Sequence, residues 1–82
     1  MLATRGMICE ELFDCAAFAG RHDCSDAVNL LMKARCAIQD DRPVDSTIPT
    51  LQDVAESPDT VKLPFFRARV LTLLSMLRRL SQ

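Results

Sequence analysis

The chain holds five side chains with the sulfur or imidazole chemistry of metal ligands and nucleophiles: Cys9, Cys15, Cys24, Cys36 and the single histidine, His22. Consecutive cysteines are separated by five, eight and eleven residues, so no C-x-x-C pair exists. Structural zinc favours closely spaced ligand pairs, because one short turn can then present two ligands to the same ion. His22 and Cys24 form the only such doublet. A thiol or metal sensor built on Cys24, Cys36 and His22 is therefore the weakest of the functional readings. The alternative is that Cys9, Cys15 and Cys36 act as small apolar residues on helices, while His22, between Arg21 and Asp23, lies in a loop.

Other chemistries have less material. The two glycines, Gly6 and Gly20, cannot build a phosphate loop, and no G-x-x-x-x-G-K-[ST], G-x-G-x-x-G, G-x-S-x-G or H-E-x-x-H motif occurs. One histidine leaves few options for a general base near neutral pH. Asp40 and Asp41 lack the D-x-D-x-D-G frame of a calcium loop. The expectation is a protein without catalytic residues, metal or cofactor.

Helices must position whatever these residues do. From residues 7–19, Ile8, Leu12, Cys15 and Ala19 recur at 4-3-4 spacing, widened by Phe13 and Ala16, with Glu10, Glu11 and Asp14 opposite. Phe18 falls toward the polar side, and Gly20 suits the residue just past the helix end. A second helix is expected over 26–39, capped by Ser25, with Ala27, Leu31, Ala34 and Ile38 inward. Residues 40–60 read as an acidic, proline-containing connector. It holds one short helix over 50–56, opened by a loose capping box of Thr50 and Asp53, and then Ser57-Pro58 as a fresh cap. The last helix, 64–80, carries Phe66, Val70, Leu73, Leu77 and Leu80 at 4-3-4-3 spacing as a dimer or core seam. Phe65, Leu74 and Met76 extend that arc, which suits a helix packed between two neighbours. Pro64 either opens this helix or kinks one that begins at Ser57. Nothing before Met7 belongs to a clear element, so Met7 could serve as the start.

These elements predict one all-α domain over 1–82, a small bundle of three to four short helices. A chain of 82 residues buries only about 60% of its unfolded surface, so homodimerisation is expected to complete it. The first residues resemble no leader, no apolar run approaches a membrane span, and reduced thiols fit a cytoplasmic location.

Charge is segregated along the chain. Residues 1–39 have four cations (Arg5, Arg21, Lys33, Arg35) and five acids (Glu10, Glu11, Asp14, Asp23, Asp26), net −1. Residues 40–60 have Arg42 against Asp40, Asp41, Asp45, Asp53, Glu56 and Asp59, net −5. Residues 61–82 have Lys62, Arg67, Arg69, Arg78 and Arg79 and no acid, net +5. Three readings follow. The acidic connector folds onto the basic helix and neutralises it. Alternatively, Asp40, Asp41, Asp45, Arg67, Arg78 and Arg79 form charged surfaces for a protein partner. In the third, a dimer binds double-stranded nucleic acid through Lys33, Arg35, Arg67, Arg69, Arg78 and Arg79. The acidic pI of about 5.7 opposes the last. The leading expectation is a small helical protein that binds another macromolecule as an inhibitor, adaptor, chaperone or regulator, without a membrane role.

Overall fold

Thr4 sets the start of the first helix, because its hydroxyl oxygen accepts a hydrogen bond from the Met7 amide at 3.1 Å. In the computed structural model, which describes residues 4–81, α1 spans Arg5–Arg21 and α2 spans Ser25–Gln39. One 3-10 turn, Val44–Ser46, precedes α3 (Ile48–Glu56), α4 (Pro58–Val61) and α5 (Pro64–Leu80). The fold is all-α, with five α-helices rather than three or four and no strand among the described residues. Residues 1–3, part of the stretch read for a leader, and Gln82 lie outside the described residues.

Both helices of the α1–α2 hairpin end alike. Asp23 and Asp41 each take φ of 58°, the left-handed conformation of the residue past the helix cap. After α1, the Asp23 amide donates to the Gly20 carbonyl and the Cys24 amide to the Ala19 carbonyl at 2.9 Å. After α2, the Asp41 amide donates to Ile38 and the Arg42 amide to Ala37. This is the Schellman arrangement, built twice on aspartate. Gly20 therefore lies inside α1 rather than past its end, since an αL aspartate supplies the stop. Asp23→Gly is expected to stabilise the fold by about 0.5–1 kcal/mol, because glycine removes the left-handed cost. Chemical denaturation would check it; a loss of stability would show that the Asp23 side chain does more than turn the chain.

Arg5 closes the hairpin at its open end. Its guanidinium donates to the Arg42 carbonyl at 2.9 Å and the Ile38 carbonyl at 3.4 Å, and lies 3.6 Å from Asp41. Arg5 and Gly6, ahead of Met7, thus belong to the first helix, and Arg5 helps to end the second.

Two further boundaries differ from expectation, and the two left to the prolines resolve. Cys24, not Ser25, is the cap of α2, because the chain leaving the Asp23 turn enters the helix at once. The third helix begins at Ile48, so Thr50 and Asp53 lie within it and form no capping box. Pro49 is accommodated there because the first turn has no use for its missing N–H. Pro64 opens α5 as its first residue, and Ser57-Pro58 opens the separate four-residue α4. Most of the 40–60 connector is consequently helical.

The longer helices pack in a closed ring, α1 on α2, α2 on α3, α3 on α5 and α5 on α1. Ile8, Leu12, Leu31, Ile38, Leu51, Val54, Phe66, Val70, Leu73 and Leu77 fill the centre. The heptad spacing of α5 is satisfied inside the chain: Phe66, Val70, Leu73 and Leu77 are buried and Leu80 half-buried against the same core. Phe18, read as facing the polar side, leans inward and stacks on Phe66 with ring centroids 5.4 Å apart.

Candidate binding face

Using its seam inwardly leaves α5 a second side. Phe65, Ala68, Thr72, Ser75 and Arg79 follow 3-4-3-4 spacing and are all exposed, which places them in one row on the outer surface. Phe65 is 87% exposed, and Val61 and Leu71 flank the row at 56% and 42%. A depression of about 310 Å³ lined by Val61, Pro64, Arg67, Ala68 and Leu71 lies beside it. Phe65 was expected in the apolar arc; at 100° per residue it stands well off the line of Phe66, Val70 and Leu73, and nothing covers it.

The cations of this helix divide into held and free. Arg69 donates to the Glu11 carboxylate of α1 at 2.9 Å, and that hydrogen bond raises its pKa above the ordinary guanidinium value. Arg67 donates through Nε to the Ala55 carbonyl at 3.1 Å. Lys62, Arg78 and Arg79 are exposed, and Arg78 and Arg79 fall in the last turn, where cations complement the helix dipole. The two ion pairs among the described residues are Arg5–Asp41 and Arg69–Glu11, so no carboxylate of 40–60 pairs with a cation of α5. The connector packs against the basic helix without neutralising it charge by charge.

The remaining site candidates are dispersed. Asp40 is the exposed cap of α2, Asp41 faces Arg5, and Asp45 is exposed on the 3-10 turn. Lys33 is exposed on α2, and the Arg35 guanidinium sits 5.3 Å above the Phe13 ring. Phe13, expected to widen the buried stripe of α1, is half-exposed beneath it. With Arg35, Arg67 and Arg69 engaged, the six cations proposed for nucleic acid do not present one free basic track.

The thiols are likewise separate. Cys24 is buried, and its Sγ donates to the His22 carbonyl at 3.5 Å, not to the imidazole. The His22 ring packs on Phe18 at 4.4 Å. Cys36, expected to be buried, is exposed, about 18 Å along α2 from Cys24 by helix rise. No group of three potential metal ligands occurs among the described residues.

Burial lifts the Cys15 thiol to about 11, with Arg69 opposing and Glu11 and Asp14 assisting. Burial also raises Cys24, reinforced by Asp59 and Asp23. Alkylation at pH 8 followed by mass spectrometry should therefore label Cys36 first, and Cys15 and Cys24 only on unfolding. The folded state disfavours ionised Cys15, so its contribution to stability is intact below the unfolded pKa near 9 and is lost as pH rises toward 11. Early labelling of Cys15 would contradict the packing of α1 on α5.

The fold is thus an all-α bundle whose last helix exposes Phe65 and Leu71 on its outer side. In comparisons with protein-family models, curated proteins and solved structures, the chain matched none. No described helix is long and apolar enough to cross a membrane.

Proposed function

We propose that the protein is a binding module that docks on another protein through the outer face of α5, in the manner of an inhibitor, adaptor or regulator. The observation that carries this reading is the exposure of Phe65 and Leu71 on α5, whose inner face is already filled, with Val61 of α4 sharing a depression with Leu71. Exposed apolar side chains clustered on one face and rimmed by charge mark interaction surfaces, and aromatic anchors dominate the energy of such contacts. Asp40 at the end of α2 and Asp45 on the 3-10 turn are exposed carboxylates available to a partner for steering, while Asp41 is shared with Arg5. A second copy through the heptad seam of α5 would require that core to open.

A photo-crosslinking residue at position 71, with one at exposed Asn29 on α2 as control, tests the reading in extracts of the native host. The expected result is a discrete protein adduct from position 71, absent from position 29 and resistant to nuclease. An adduct removed by nuclease, or identical adducts from both positions, would overturn it.

A further inference from the structure

We infer that the occupant of this face is a single acidic amphipathic helix of the partner, an inference that rests on reading the face as a protein-docking surface. The geometry suits a helix. Ala68, Thr72 and Ser75 put short side chains along the centre of the row, and Phe65 and Leu71 stand to either side about 9 Å apart along the axis. A second helix can settle between them at the ordinary 8–10 Å packing distance, with an apolar side chain entering the depression lined by Val61, Pro64, Ala68, Leu71 and the stem of Arg67, whose guanidinium is held by the Ala55 carbonyl.

The charge selects the sign of that helix. Residues 61–81 carry five cations and no acid. Those without an ion pair or hydrogen bond among the described residues are Lys62, just before the helix, and Arg78 and Arg79, in its last turn, so the free cations stand at the two ends of the row. Glu56 shares the lining of the α3–α5 groove with Arg67, Leu71 and Arg78, and the cations outnumber it there. Carboxylates flanking a partner's apolar stripe are attracted at the two ends of the row, while lysines are repelled.

The same features argue against a second copy. A second copy on this face would bring together two segments that each carry five cations and no acid, and these repel. Nor does the acidic segment 40–60 have an apolar stripe to offer, since none of its large apolar side chains is exposed. Three exposed apolar side chains also fall well short of the roughly 800 Å² per partner that a stable two-domain interface buries. One helix is the scale of partner they match.

Panning the immobilised protein against a displayed library of helical peptides tests this. Each peptide would have about 15 residues, an apolar stripe at heptad spacing and flanks randomised between Glu and Lys. The expected winners are Glu-rich, bind about tenfold tighter than their Lys counterparts at low salt, and lose that advantage near 0.5 M salt. Their binding should fall about tenfold with Arg78→Glu plus Arg79→Glu and disappear with Phe65→Asp. Winners that depend on Phe65 but are Lys-rich or indifferent to charge would overturn the acidic helix and leave the docking face standing. Absence of any Phe65-dependent peptide would overturn both. So would duplex DNA retarded through Arg78 and Arg79 without peptide selection. A sedimentation dimer abolished by Phe65→Asp would assign the face to a second copy and overturn the inference.

Discussion

Phe66→Ala is expected to lower stability by about 3–5 kcal/mol, the usual cost of emptying a phenylalanine site in a packed core. The side chain is 1% exposed and stacks on Phe18 of α1. It therefore joins the last helix to the first, and neighbouring Leu73, Leu77 and Val70 cannot refill its volume without moving α5. At 0.05–0.15 kcal/mol per residue, the whole domain holds roughly 4–12 kcal/mol, so this one change removes a large fraction. The thermal midpoint should drop by about 12 °C or more. Circular dichroism at 222 nm would show it, and a drop of only a few degrees would mean that α5 does not pack as described.

The neighbouring residue should behave in the opposite way. Phe65→Asp leaves the core untouched, since the side chain is 87% exposed, and places an acid in the first turn of α5, where the dipole favours it. Stability should stay within about 0.5 kcal/mol of the parent or rise slightly. Affinity for the protein captured through position 71 should instead fall about 30- to 100-fold, the loss of an aromatic anchor worth about 2–3 kcal/mol. Titration calorimetry with the captured partner would measure it. A large stability loss with unchanged affinity would exchange the roles of the two phenylalanines and refute the account.

This contrast also shows where the sequence was informative. The 4-3-4-3 spacing of Phe66, Val70, Leu73, Leu77 and Leu80 located the inner face of α5 correctly, because burial imposes that period. The neighbours on which α5 packs were legible only in kind, two of them, and the ring order α1–α2–α3–α5 was not. Phe65 was misplaced because an apolar arc was judged by residue type as well as by angle; its position on the wheel already separated it from the seam. The helix ends failed for a different reason. Ser25, Gly20 and Thr50 are favourable cap residues by type, yet Asp23 and Asp41 took the left-handed turns. Hydrogen bonds from Cys24 to Ala19 and from Arg42 to Ala37 close those ends, and the 3-10 turn at Val44–Ser46 leads into α3 at Ile48, ahead of Thr50. The charge split of −5 and +5 was legible as a sum. Its consequence was not, because Arg69 found its partner on α1 and Arg67 found a backbone carbonyl on α3. What remains exposed on α5 is two cations, Arg78 and Arg79, and a phenylalanine, with Lys62 just ahead of the helix.

The central claim is that α5 has an inner face that completes the core and an outer face free to dock. It is tested most directly by fluorine NMR of the protein carrying fluorophenylalanine at its four phenylalanines, Phe13, Phe18, Phe65 and Phe66. Exchange of H₂O for D₂O should shift the Phe65 resonance most and leave Phe66 unmoved, and saturation with a selected acidic helix should abolish the Phe65 response alone. A shielded Phe65 in the free monomer, or a solvent-exposed Phe66, would contradict the account.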